Sequence, residues 1–254
     1  MPDHNSKTNL TTCSQLLKQK QEGKYISPRV LQLILNYVET AIGHAKTWNV
    51  IKSVYNEMLV VVLFPLLCFS DDDQDLWDDD PHEYIRSKFD VFEDFISPNT
   101  AAAQVLHTAC SKRKQVLQTT VDFCMAKFNQ GCGPREQDGV LHIIGSVADA
   151  LMKKKPFKDQ MEALVCNFIL PSFDNENGYI RARACWVLQH CSTIKFQQDI
   201  NLQKCGDVLR TMLLNEQEQL PVRVEAAIAL NQLICQQPKI SDYMKTNLGD
   251  IMKV

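Results

Sequence analysis

The sequence predicts an all-α fold, a right-handed superhelix of stacked helical hairpins, and three observations carry that prediction. First, a short pattern recurs. Ile180, Arg181, Ala182, Ala184 and Leu188 lie over Val222, Arg223, Val224, Ala226 and Leu230 at an offset of 42 residues, one chemically similar pair per position. Fainter copies are Gly139 with Ile143, 45 residues before Ala184 and Leu188, and Ala102 with Leu106, 37 residues earlier still. Second, no stretch shows the strict apolar/polar alternation of a strand. Third, 9 Gly and 10 Pro in 254 residues argue against a loop-rich β protein, while a 45 % hydrophobic content is ample for a core. Self-similarity at about 40–47 residues built on paired helices is the signature of HEAT or armadillo repeats. At that size the chain holds about five to six hairpins over residues 10–254.

The repeat has a physical logic. On a helix at 100° per residue, Ile180, Ala184, Val187, Leu188 and Cys191 form one apolar stripe. Such a helix is covered twice, by its hairpin partner and by the next repeat. The small residues at 139, 184 and 226 let two axes approach closely. Arg181 and Arg223 fall at the stripe's edge, where a long side chain buries its stem and reaches a carboxylate or free carbonyl of the neighbouring repeat. The repeat positions are therefore Arg181, Ala184, Leu188, Arg223, Ala226 and Leu230. Trp186 is expected in the core, with truncation to Ala costing roughly 3–5 kcal/mol.

In chain order, residues 1–9 carry no periodicity and are expected to be disordered. Leu10, Cys13, Leu16 and Leu17 mark a first helix over 10–21. Ser27-Pro28, a cap followed by Pro at the first helical position, opens the next, lined by Val30, Leu31, Ile34, Leu35 and Val38. A helix over 47–63 is expected to kink or stop near Pro65. The apolar run 58–69 is too short for a membrane span and reads as a core helix. Residues 71–80 read as an acidic loop around Trp77, followed by a helix opening at Asp80-Pro81-His82-Glu83 with the marks of a capping box. That helix presents Ile85, Phe89, Phe92 and Phe95. Ser97-Pro98 restarts the chain, and helices follow over 116–128, from Val140 to Leu151, over 157–170, at the two registered repeats and after Pro238. The lysines at 112–114 and 153–155 sit at helix ends and read as solvated.

The net charge of −3 hides an asymmetry. Eight acids fall within residues 71–83, a stretch without Lys or Arg, and leave the remainder at +5. Asp71, Asp72, Asp73, Asp75, Asp78, Asp79 and Asp80 are the candidate site for a basic partner. The competing reading is a solvated loop. Trp77, exposed by its context, is either a partner anchor or the pin of its own loop. No secretory leader is legible in residues 1–12, so ten cysteines without a C-x-x-C read as reduced, buried small hydrophobes. Catalysis finds no support: phosphate-loop, H-E-x-x-H and G-x-S-x-G motifs are absent. His107, His142 and His190 lie in helix patterns without a nucleophile in register. No metal or cofactor site is expected.

Several motifs together resemble the importin-beta superfamily. They are Ser27-Pro28-Arg29-Val30-Leu31-Gln32 and Leu76-Trp77-x-Asp79-Asp80-Pro81-x-Glu83-Tyr84-Ile85-Arg86. Lys88-Phe89-Asp90-Val91-Phe92-Glu93-Asp94-Phe95 and Thr108-Ala109-Cys110-Ser111-Lys112-Arg113-Lys114 narrow the resemblance to the importin seven/eight subfamily. Asp138-Gly139-x-Leu141-His142-x-Ile144-Gly145-Ser146, the 181–188 run and Pro221-Val222-x-Val224-Glu225-Ala226-Ala227 agree with it. His82 and Glu136-Gln137 depart from the subfamily's usual residues. The resemblance implies an interior piece of a much longer, non-enzymatic carrier that imports protein cargo and shuttles between cytoplasm and nucleus through the nuclear envelope. Its implied partners are Ran-GTP, which releases cargo, basic cargo of the histone or ribosomal-protein type, phenylalanine-glycine nucleoporins and importin-beta itself. The alternative is a HEAT scaffold, such as a phosphatase-type regulatory subunit, without Ran dependence. If the piece stands alone, uncovered repeat faces at its ends are expected to drive self-association.

Overall fold

A computed structural model describes residues 4–90 and 97–245, and every described element is helical. Helices α1 (His4–Gln21) and α2 (Pro28–Gly43) form the first hairpin. The α1 backbone begins at His4, ahead of the start expected at Leu10. Ser27 caps α2 through Val30 N, with Pro28 in the first turn where its missing N–H costs nothing.

The chain then bends through α3 (Ala45–Ile51) into α4 (Tyr55–Met58), a π-helical turn over Leu59–Leu63, and α5 (Phe64–Leu67). The expected break at Pro65 lies instead at residues 52–54. Pro65 sits inside the helix because the wider π turn before it already suspends the i→i−4 ladder that Pro cannot join. The same device recurs where α11 (Phe157–Leu164) passes through a π turn over Val165–Ile169 into a 3-10 turn containing Pro171.

Between them lie α6 (Asp71–Asp79), α7 (Pro81–Phe89), α8 (Pro98–Lys112), α9 (Val116–Gln130) and α10 (Pro134–Lys153). Beyond α11 follow α12 (Gly178–His190), α13 (Asp199–Leu214), α14 (Leu220–Gln236) and α15 (Pro238–Met244). Phe92 and Phe95 lie outside the described residues.

Two layers result. Helices α2, α8, α10, α12 and α14 stack side by side, and the helices between them in sequence, other than α6 and α7, form the second layer. One continuous core runs through the stack, from Leu10 to Met244. Ala102, Ala184 and Ala226 are fully buried, each on a first-layer helix. Gly139 lets α10 close on the end of α5: a Cβ there would sit 2.5 Å from Cys68 Sγ and 3.0 Å from the Phe64 ring. Arg181 grips the turn ahead of the next repeat, its Nε and Nη2 donating to the two Glu218 carboxylate oxygens at 2.8 and 2.6 Å. Its register partner Arg223 donates to the Leu213 carbonyl at the end of α13, 3.2 Å away. Leu188 and Leu230 are buried beneath them. Among the described residues, no single helix is long and apolar enough to cross a membrane, and the run 58–69 lies largely in the core.

Candidate partner-binding surface

Residues 71–80 form a helix, not a loop. Ser70 caps α6 by accepting from Asp73 N at 3.0 Å, while the Asp73 carboxylate accepts from Ser70 N at 3.1 Å, a reciprocal capping box. Three aspartates in the first turn face the positive end of the helix dipole, where negative charge is stabilising. The acidity that suggested a loop thus favours the first turn of a helix. Asp80 then caps α7 by accepting from Glu83 N at 3.0 Å, with Pro81 next.

Helices α6 and α7 run as a strap across the first layer, and α7 packs against α14. Its pin is aromatic. Trp77 is only 3 % exposed, which corrects the expectation of an exposed ring. It meets Tyr84 edge-on at 4.9 Å and Phe69 at 6.1 Å, and Phe69 stacks flat on Tyr179 of α12 at 4.0 Å. Trp77 is therefore committed to its own strap and unavailable as a partner anchor. Gly178 makes room for it, since a Cβ there would come within 3.0 Å of the indole and collide with Gln219. Arg135 at the head of α10 holds Asp71 at 2.5 Å, and Lys88 donates to Asp73 at 3.0 Å. Burial would raise the Asp73 carboxyl, but Lys88 and Ser70 together keep it below its ordinary range.

The acids thus divide. Asp73 is turned inward and paired, while Asp71, Asp72, Asp75, Asp78, Asp79 and Asp80 are exposed. Asp71 is shared with Arg135 and Asp78 accepts from Gln74 at 2.8 Å. Of the departures noted above, His82 is exposed on α7, and Glu136 accepts from Lys127 at 2.6 Å in an inter-helix contact.

Beside the strap lies a groove of about 680 Å³, lined by residues of α7, α8, α10, α12 and α14. Trp186 is half-buried on its wall and not in the core as expected. Arg183 lies over its ring at 5.1 Å, and His142 and His190 meet it edge-on at 5.2 and 4.3 Å. His142 Nδ1 donates to the Leu67 carbonyl at 3.1 Å, and burial lowers both imidazoles, so they are neutral near pH 7. Beneath them Arg183 Nε donates at 2.8 Å to Asp138, which is 1 % exposed and leaves its second oxygen without a partner among the described residues. Burial raises the Asp138 carboxyl in spite of Arg183. On α14, burial pushes Glu225 up to about 7, opposed by Arg183 and Lys88. Sequence reasoning passed over Trp186, Arg183, Asp138 and Glu225 as site residues. The 45-residue spacing of Asp138 and Arg183 was the available signal, since it equals a repeat offset.

Cys110, Cys124, Cys185, Cys191 and Cys205 are buried, and desolvation raises their thiols, Cys110 to about 11 and Cys191 to about 12. Among the described residues, no group of three or more His, Cys, Asp or Glu is placed to hold a metal ion.

Paired helices stacked in two layers on one continuous core define a helical-repeat protein. The chain is 42 % identical to Importin-8 of Homo sapiens over 240 residues, 94 % of this chain and 23 % of that protein. It is 32 % identical to the Importin beta-like SAD2 homolog of Arabidopsis thaliana over 229 residues, 87 % of this chain and 22 % of the relative. With the Probable importin-7 homolog of Dictyostelium discoideum it shares 29 % identity over 236 residues, 89 % of this chain and 21 % of the relative. No family model matches the chain. The chain belongs to the importin-8/importin-7 subfamily of the importin-beta family, and its helical pairs are HEAT repeats. It spans about a quarter of the length of the curated relatives it matches.

Proposed function

We propose that this chain is a non-enzymatic segment of a nuclear import receptor that moves between cytoplasm and nucleus, and that the outward face of α6 attracts basic cargo. Family membership supports the first part. The second rests on one observation: six exposed aspartates on and just after a helix whose apolar side is pinned by Trp77. A rigid array of like charges on a fixed helix attracts Lys- and Arg-rich surfaces of the histone or ribosomal-protein kind more specifically than a loose acidic loop. Ran-GTP controls cargo release in this reading. Phenylalanine-glycine nucleoporins and importin-beta are the remaining partners, and the protein passes the nuclear envelope with them.

Replacing Asp72, Asp75, Asp78 and Asp79 by Asn tests the acidic face. We expect affinity for a histone to fall about tenfold at low salt, from roughly 0.3–0.5 kcal/mol per exposed charge, and its salt dependence to flatten. Unchanged affinity and salt slope would remove the acidic face from the proposal. Capture on immobilised Ran in both nucleotide states, alongside nucleoporin repeats, tests the receptor role. Binding indifferent to nucleotide would count against Ran control through this segment.

A further inference from the structure

The charges bordering the groove nearly cancel in pairs. Lys88 is engaged by Asp73 and Arg183 by Asp138. Glu225 has no such partner: among the described residues its side chain makes neither a hydrogen bond nor an ion pair, yet it lines both the groove and the small notch of about 40 Å³ between α7, α12 and α14. Phe89, 52 % exposed on α7, and the half-buried ring of Trp186 on α12 line the same notch. A carboxylate and two aromatic surfaces around one opening match the needs of a cationic side chain, whose charge pairs with the acid while its stem or plane lies against the rings.

We infer that Glu225, Trp186 and Phe89 form an anchoring notch for a single lysine or arginine side chain of a basic protein segment. The inference rests on the basic-cargo reading above and adds a site about which that reading says nothing. It also separates the two by chemistry. The exposed α6 aspartates lie outside the notch. Glu225 is faced by Lys88 and Tyr84 from α7 and by Arg183 and Cys185 from α12, with Asp73 across the groove. Burial holds it up to about 7 in spite of the two cations. The histidines flanking Trp186 are lowered by burial and stay neutral in that window. An arriving cation favours the ionised carboxylate and displaces its proton, so anchoring strengthens as pH rises through neutrality.

The test uses the whole chain with a fluorescein-labelled octalysine peptide, measured by anisotropy at about pH 6 and about pH 8 at fixed ionic strength. For the unmodified chain, affinity should rise about tenfold between the two, following the ionised fraction of one group titrating midway. Glu225→Gln should bind weakly and equally at both. The peptide should also shift the tryptophan emission, a change lost in Trp186→Phe because Trp48 and Trp77 are buried. If Glu225→Gln keeps the full pH dependence, or the unmodified chain shows none, the notch is wrong, whatever happens to the α6 variant. If octalysine binds the unmodified chain at neither pH, the notch and the basic-cargo reading fall together.

Discussion

Single residues on this surface carry unusual electrostatic costs. Glu225 titrates at about 7 in the fold against an ordinary 4.5, so the folded state holds its proton more tightly than the unfolded chain does. Its contribution to stability is therefore largest at low pH, declines as pH rises between those values and levels off above about 7. Between about pH 6 and pH 8 the unmodified chain should lose roughly 1 kcal/mol from this group, a slope that Glu225→Gln lacks. Urea unfolding of both proteins at the two pH values reads it directly. Asp138→Ala acts in the same neighbourhood through a different cause. It leaves Arg183 in a mostly buried position without its carboxylate, and should cost about 3 kcal/mol in the same assay. Asp138→Asn keeps an acceptor near the guanidinium and should cost less. Equal costs for the two would mean that shape, and not charge, is what Arg183 requires.

At the scale of helices, caps were the most legible feature. Ser27-Pro28, Asp80-Pro81 and Ser97-Pro98 each open a helix where a short polar side chain meets an orphan N–H, a local interaction that needs no tertiary context. Asp80→Ala should accordingly cost about 1 kcal/mol, seen as faster amide exchange confined to the first turns of α7. The misreading of 71–80 was local too. Ser70, with Asp73 three residues on, is an N-terminal signature of the same kind, and a run of aspartates hid it by resembling a solvated linker. Pro65 misled in the other direction. Proline ends an α-helix because it lacks a donor, but a π turn just before it has already changed the hydrogen-bond ladder.

Across the whole molecule, the strap joins parts that repeat architecture would leave independent. In a stack each repeat touches its neighbours, whereas Trp77 and Tyr84, between the first and second hairpins, pack with Tyr179 of α12, and α7 reaches α14. Trp77→Ala should thus cost roughly 3–5 kcal/mol, the range for emptying a large aromatic site. It should also raise amide exchange along α12 and α14 as well as in the strap itself. Faster exchange limited to α6 and α7 would show that the strap rests on the stack without bracing it.

Composition and spacing alone determined that the chain is helical, that its helices pair, and that Arg181 with Arg223 and Ala184 with Ala226 hold corresponding places, because periodicity and capping are written within a few residues of each other. They could not determine which tryptophan is covered. Trp77 sits among aspartates yet is buried by Tyr179, about a hundred residues away, and Trp186 sits among apolar neighbours yet borders a groove. The pairing of Asp138 with Arg183 and the burial of Glu225 belong to the same class. Exposure and proton affinity depend on the surfaces that close over a side chain, and in a stack those surfaces come from other repeats.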